Sequence, residues 1–409
     1  MVLSLKNNWK QQLAFVVTAA LILGLVYSRA VLSIAAIGLG IIAIENRQNL
    51  QPYKNIFLGI ALILLPVLAS GLGSDDTTAW WRSVEVKLSL ITIIAGVLAA
   101  QFSFEQVKQL IWWLTIVVAT SALYSLYNFF LNEELILENY LVAKVMPVLM
   151  DDDHIRYSWL IVLNIIALTV VAFLPQRHKE HKGKAEKSIA VVCILFLIAY
   201  LHFLAAKTGL LCLYVSLAIA GLYLIVKVRW WAGLLLISAI GLFAIAAYNN
   251  LPSLKNRVQY VLYDFNNYSK GIYTEGSSDG ARVLSLKAGW DITQQHLLGG
   301  VGFGDVQAEV SQWHDMQHPS SKDYERFLPT NQWLIYGAGS GLLGVVCFSI
   351  GLMLLLQPLF SKNLFSFITI VVLLLPLITD DSFEGQHGVS IFGLLVGLGV
   401  GVKGLKEFS

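Results

Sequence analysis

Thr330, Asn331 and Gln332 stand between Pro329 and a long apolar run in FLPTNQWLIYGAGSG (327–341). These side chains orient a hydroxyl or an amide, but none of them takes a proton near neutral pH. Thr330 and Asn331 also fit the N-cap of the helix that the run predicts. Charge lies elsewhere: Arg156 in DDDHIRYSWLIVLN precedes one apolar run, Lys207 in LAAKTGLL separates two others, and Arg282 in SSDGARVLSLKAGW opens a predicted helix. A cation at a membrane boundary costs free energy unless it is paired or wetted, which makes each a functional candidate. Arg and Lys near helix ends also simply snorkel to the interface. Converging on one face, such cations suit a lipid diphosphate, which arginine holds through forked, charge-assisted hydrogen bonds. Ser277, Ser278 and Asp279 read as the N-cap of the Arg282 helix, whose free N-terminus would add backbone donors for an anion.

The remaining motifs point less sharply. GGVGFGD (299–305) lacks the GK[ST] of a phosphate-binding loop, so Gly302 and Gly304 read first as a tight turn between two helices and second as a place of close ligand approach. His314 and His318 in QWHDMQHP are four apart and share a helical face, without the further ligands that a zinc site needs. Asp151, Asp152 and Asp153 read as a solvated acidic run or a weak calcium cluster. Asp380 and Asp381 end an apolar run and cap the next element, and Glu384 beside them makes a proton or ion path conceivable.

The elements that must position these residues are membrane helices. Of 409 residues 56% are hydrophobic and 13% charged, with mean hydropathy +0.68; a soluble chain carries about a quarter charged residues. Apolar runs long enough for ~30 Å of hydrocarbon recur from end to end. Twelve spans are predicted, centred near residues 20, 37, 64, 94, 120, 166, 197, 218, 241, 343, 371 and 396, the first two alternatively forming one re-entrant hairpin. The first span is read as retained rather than as a cleaved signal peptide. With the N-terminus inside, the inner segments hold Lys6, Lys10, Arg47, Lys54, Lys108, Arg177, Lys179, Lys182, Lys184, Lys187, Lys227, Arg229, Lys362, Lys403 and Lys406. The short outer loops hold Arg29, Arg82, Lys87, Lys144, Arg156 and Lys207. That asymmetry predicts cytoplasmic termini. It also puts 132–158, the long segment 250–329 and 380–388 outside. Residues 132–150 read as an interfacial amphipathic helix, and 250–329 as short helices lying over the membrane. The net charge of +2 comes with no basic, aromatic-interleaved patch for nucleic acid. Cys193, Cys212 and Cys347 all lie in apolar segments and offer neither a disulfide framework nor a metal site.

DGARVLSLKAGWDITQQHLLGGVGFGD (279–305), followed by LPTNQWLIYGAGSGLLG (328–344), resembles the signature region of the O-antigen ligase and polymerase family of bacterial membrane glycosyltransferases. The similarity covers about 252–345, with weaker echoes in HIRYSWL, AKTGLL and DDSFEGQHGVSIFGLL. It implies an all-α, GT-C-like integral membrane protein of the bacterial inner membrane, one polytopic domain with a long, partly helical periplasmic loop. It implies transfer of a glycan from an undecaprenyl-diphosphate carrier at the periplasmic face, with no nucleotide sugar, metal or other cofactor. The acceptor is a lipid A-core sugar in the ligases and another carrier-linked repeat unit in the polymerases. Arg156 and Arg282 match arginines that hold the diphosphate, and Lys207 stands where many relatives have arginine. Thr330 stands where the family has a histidine that serves as base or positions the acceptor. The resemblance therefore leaves three possibilities: another residue such as His314, His318 or Glu384 takes that role, the site is changed into a non-catalytic carrier binder, or the substitution is a deliberate one. Asn331 and Gln332 can still orient a sugar hydroxyl. A transporter for lipid-linked glycans would instead show inverted repeats and charges at mid-span; spans 189–205, 233–249 and 388–402 hold no acid or base except His202.

Overall fold

The computed structural model describes residues 2–141, 144–173, 183–270, 278–360 and 363–401. Expectations resting on Arg177, Lys179, Lys182, Ser277, Lys362, Lys403 and Lys406 lie outside the described residues. The described chain is all-helical, with no strand. Its first half holds α1 (Val2–Tyr27), α2 (Arg29–Glu45), α3 (Lys54–Ser70), α4 (Thr77–Ala100), α5 (Phe104–Leu131), α6 (Glu133–Tyr140) and α7 (His154–Phe173). Then come α8 (Gly183–Leu204), α9 (Lys207–Tyr223), α10 (Trp230–Asn250), α11 (Pro252–Ser269), α12 (Ser278–Gln295) and α13 (Val306–Gln317). The chain closes with α14 (Gln332–Leu356), α15 (Leu364–Thr379) and α16 (Gln386–Gly401).

Each of the twelve expected centres falls inside a helix. Among the described residues, nine helical segments are long and apolar enough to cross a membrane. The other three, α2, α15 and α16, have 17, 16 and 16 residues. Local chemistry sets the ends. Ser28 alone separates α1 from α2 and caps the second helix, Ser103 and Gln106 form a capping box at α5, and Asp76 accepts from Ala79 N at the start of α4. Small residues let helices close up: a Cβ on Gly59 of α3 would lie 2.6 Å from the Gly351 carbonyl of α14.

Helix α14 is broken at Ser340 and Gly341, the latter at φ +66°. Groups released by the break find partners in the glycine-rich segment. Leu342 N donates to Leu297 O at 2.8 Å, while Val301 N and Gly302 N donate to Ala338 O and Gly339 O at 2.8 and 3.0 Å. Irregular backbone within an apolar helix is tolerable only where the surrounding protein satisfies it in this way. Residues 250–329 contain α11, α12 and α13, and Leu284, Ile292, Val306, Val310, Trp313 and Ala338 form a small core that seats α12 and α13 on α14.

Two local expectations need correcting. The helix expected over 132–150 stops at Tyr140, whose hydroxyl donates to the carbonyls at the end of α8 and accepts from Met146 N. Pro147 has no N–H to continue a helix, and residues 144–148 run without helix into a turn at Asp151 and Asp152, both at positive φ. The acidic run 151–153 is engaged rather than merely solvated: Asp151 pairs with Arg29 at 2.5 Å, Asp152 accepts from Val148 N, and Asp153 pairs with Arg156 at 2.8 Å.

Candidate functional site

The starts of α7, α9 and α14, the end of α15 and Lys87 of α4 are linked through α12 and the 380–384 loop. Asp380 is the centre of one cluster. It leaves α15 in extended conformation, is 3% exposed, and its Oδ2 has no hydrogen-bond partner. Two arginines from distant parts of the chain face it. Arg156, in the first turn of α7, lies 3.6 Å from Oδ2, and Arg282 of α12 lies 3.9 Å from Oδ1 while donating to the Thr379 carbonyl at 3.1 Å. Arg156 is otherwise committed, with Nη1 on Asp153 at 2.8 Å and Nη2 on Asp381 at 2.7 Å. Burial and the Asp381 charge push Asp380 up to about 7, against the pull of the arginines. Asp153 is half-buried, and Arg156 holds its carboxyl below the ordinary value.

A second cluster surrounds Glu384. Lys87, 1% exposed and ten residues into α4, donates to Glu384 at 2.7 Å and to Ser83 at 2.8 Å. Gln332, fully buried at the start of α14, donates to the other Glu384 oxygen at 2.7 Å and accepts from Phe383 N at 3.0 Å. One amide thus fixes both the carboxylate and the short turn Ser382–Glu384 that carries it. The Phe303 ring lies 5.2 Å from Lys87 Nζ and brings the glycine-rich segment to this cluster.

Position 330 lies against the first cluster. Ser285, one turn beyond Arg282, exchanges a hydrogen bond with the Thr330 hydroxyl at 3.2 Å and accepts from Thr330 N at 3.2 Å. Asn331 alone supplies the side-chain cap of α14, accepting from Leu334 N at 3.1 Å, and its amide donates to the Ile378 carbonyl at 3.0 Å. Thr330 precedes the cap and is buried.

On the other side of Arg282, α12 carries Asp279, both of whose oxygens accept from Lys207 at the start of α9. The N-terminus of α12 is not free as expected. Asp279 N and Gly280 N donate to Asp264 of α11 at 2.7 and 3.4 Å, and Ser278 N donates to the Tyr260 hydroxyl at 2.9 Å. A carboxylate of the chain already fills the place where an anion was expected, so Ser278 serves as the first residue of a helix docked on α11.

The glycine-rich turn docks on the α3–α4 connection. Gly302, at φ +92°, and Gly304 lie where a Cβ would fall 2.4 and 2.2 Å from Ser74 Oγ and the Asp76 carbonyl, and Asp305 accepts from Asp75 N and Asp76 N at 2.9 Å. His314 is buried, bonds Ser321 at 3.1 Å, and has its ring 6.4 Å from that of His318. Burial lowers the pKa of both. These contacts hold them in the α13 layer, away from the Asp380 and Glu384 clusters. Among the described residues no group of three or more His, Cys, Asp or Glu is arranged to hold a metal.

The structure therefore brings together Arg156, Lys207, Asp279, Arg282, Thr330, Asn331, Gln332 and Glu384. Sequence reasoning misses Lys87, Ser285 and the central place of Asp380. Lys87 reads as a loop cation, although a lysine inside the apolar run after Trp81 is itself a signal of a buried partner. No curated protein matches the chain. The chain is a polytopic membrane protein, and its residues 189–349 match the family model described as O-antigen ligase, a stretch that contains Lys207, Arg282 and Thr330 and leaves Arg156, Lys87 and 380–384 outside.

Proposed function

We propose that the protein is a ligase-type membrane glycosyltransferase that moves a glycan from an undecaprenyl-diphosphate carrier to a lipid A-core sugar. The distribution of Lys and Arg favours cytoplasmic termini and a site at the periplasmic face of the inner membrane. One observation carries the reading: α12 presents Asp279 to Lys207, Arg282 to Asp380, and Ser285 to Thr330. A single rigid helix thus joins a cationic group to the position where the family has its histidine.

In this reaction the bond between the anomeric carbon and the diphosphate oxygen breaks, and its electron pair stays on the leaving group. An acceptor hydroxyl forms the new bond from the opposite face, which inverts the anomeric centre. Arg282, half-exposed, and Lys207 stabilise the growing charge more in the transition state than in the ground state. Arg156, committed to three carboxylates, holds the 380–384 loop in place. Thr330 takes no proton, so the proton of the acceptor hydroxyl goes elsewhere. Asp380 is the carboxylate best suited: its Oδ2 accepts no hydrogen bond, its Oδ1 faces Arg282 of α12, and burial pushes its pKa up to about 7, the range that favours a general base. Gln332 and Lys87 hold Glu384 too firmly for the same role.

The test uses purified protein with an undecaprenyl-diphosphate glycan and lipid A-core. Native protein should transfer, and Arg282→Ala should lose about 10²–10³-fold while keeping its melting temperature. Transfer only by Thr330→His would mean that the site lacks its base. Transfer to a second carrier-linked unit, and not to lipid A-core, would replace the ligase reading with the polymerase one. Undiminished transfer by Arg282→Ala would remove the diphosphate role of α12.

A further inference from the structure

Beside the cations already assigned lies a third with no counter-ion. Arg257 of α11 is 7% exposed, and neither its Nε nor its Nη1 has a hydrogen-bond partner. Among the described residues no carboxylate pairs with it. The nearest acidic influence is Asp279, whose two oxygens are taken by Lys207. Asp264, on the same helix, accepts from the N-terminus of α12. Burial depresses the pKa of Arg257, Asp279 and the hydroxyls of Tyr260 and Tyr140 oppose this, and Arg282 adds to the depression. The Arg257 guanidinium lies 5.6 Å and Lys207 Nζ 5.9 Å from the centre of the same Tyr260 ring. Arg257, Lys207 and Arg282 thus bring three positive charges to one place, where Asp279 pairs with Lys207, Asp380 faces Arg282, and Arg257 has no paired carboxylate.

A buried, unpaired guanidinium is costly, and chains keep one where something supplies the missing charge. The surroundings restrict what that is. Arg257 and Lys207 line a cavity of about 160 Å³ whose other walls include Leu210, Leu254, Val258 and Leu262. Apolar cavities of ~150 Å³ accept a benzene-sized hydrocarbon. The pocket is open on one side and its exposed walls are apolar, so Arg257 and Lys207 border it through their aliphatic stems, and the Arg257 guanidinium is buried behind a pocket of roughly isoprene size.

We propose that Arg257 is a third anchor for the donor's diphosphate, gripping the phosphate nearest the lipid while the first isoprene unit enters the chamber between α9 and α11. This rests on the donor reading above and adds to it a residue and a direction: the prenyl chain leaves toward α11 and the glycan toward Asp380. The step is binding alone, and no bond is made or broken at Arg257.

Binding of undecaprenyl diphosphate to the full chain in nanodiscs, measured apart from transfer, tests the idea. Undecaprenol, which lacks phosphate, and phosphatidylglycerol, an ordinary phosphate headgroup, are run alongside. Arg257→Gln should weaken undecaprenyl diphosphate by about tenfold or more and leave undecaprenol unchanged. Arg257→Lys, which keeps the charge and loses the fork, should fall between, and it carries the test by itself if the Gln variant fails to fold. Equal binding by native protein and either folded variant would overturn the proposal and leave the donor reading intact. Loss of phosphatidylglycerol binding to the same degree as diphosphate would overturn it in favour of a structural lipid site. Failure of native protein to bind undecaprenyl diphosphate would overturn both readings.

Discussion

Two neighbouring regions of this protein handle buried charge in opposite ways. Around the 380–384 loop nearly every charge has its partner: Arg156 meets Asp153, Asp381 and Asp380, and Lys87 meets Glu384, which Gln332 also holds. Around the start of α12, Lys207 and Arg282 face Asp279 and Asp380, Asp264 is spent on backbone amides, and Arg257 has no paired carboxylate. Paired groups fix a shape and need nothing further, whereas an unpaired guanidinium beside an apolar pocket is half of an interaction. The first region therefore reads as a frame and the second as the place where an anionic substrate supplies the rest. Asp380 belongs to both, facing an arginine from each side.

The two regions should differ most at Lys87. Lys87→Met leaves Glu384 buried without its cation, which costs about 3–5 kcal/mol for a buried pair. Thermal unfolding in detergent should show the variant failing to accumulate or melting far below the native protein. Adding Glu384→Gln should restore much of the loss, because both charges are then gone. Lys207→Met, by contrast, removes a lysine whose side chain is 35% exposed, and should cost no more than about 1 kcal/mol while reducing donor binding. The opposite ranking would mean that the frame and the substrate side have been exchanged.

Asp380, shared by the two regions, should make transfer depend on pH. As a base it must be ionised, so transfer should rise with pH and level off above about 7. At one unit below that pKa about a tenth of the molecules carry the active form. Asp380→Asn should be slower at every pH and lose this rise. Stability runs the other way. The folded pKa lies above the ordinary carboxyl value of 3.8, so the fold binds this proton more tightly than the unfolded chain, and ionisation between about 4 and 7 costs stability. Asp380→Asn should therefore melt higher than the native protein at pH 8 and no differently at pH 4. The groups that face this titration are Arg156 from α7, Arg282 from α12, and Asp153 and Asp381. A native profile that is flat through pH 7 would remove Asp380 from the proton path.

Legible in the sequence is whatever is local or periodic. Apolar runs locate the twelve helical centres because hydrocarbon thickness imposes a minimum length. Arg282, Asp279 and Lys207 stand out because their neighbours are characteristic. Pairings across the chain are invisible: Lys87 finds its partner 297 positions away, and Arg156 finds Asp381 225 positions away. The start of α12 misleads for a related reason. Its sequence shows an open helix N-terminus, and only the packing of α11 brings Asp264 to fill it. Arg257 is inconspicuous because PSLKNRVQYVLYDFNN looks like an ordinary polar helix, and the absence of a partner is a property of the fold.

The smallest expected effect tests how closely frame and substrate side are joined. Asn331 caps α14 and also donates to the Ile378 carbonyl, two residues before Asp380. Asn331→Ala loses both and should cost about 1 kcal/mol, the usual value of an N-cap. Asn331→Asp keeps the cap and exchanges the donor for a negative charge near Asp380. That charge disfavours ionisation of Asp380, so the rise of transfer should move to higher pH while melting stays closer to native than in the Ala variant. Both profiles are measured with the same donor and lipid A-core acceptor. A shift in the Asp variant alone would tie the start of α14 electrostatically to the proposed base. Equal loss of stability in both variants, with an unmoved profile, would reduce Asn331 to a contact that merely holds two helix ends together.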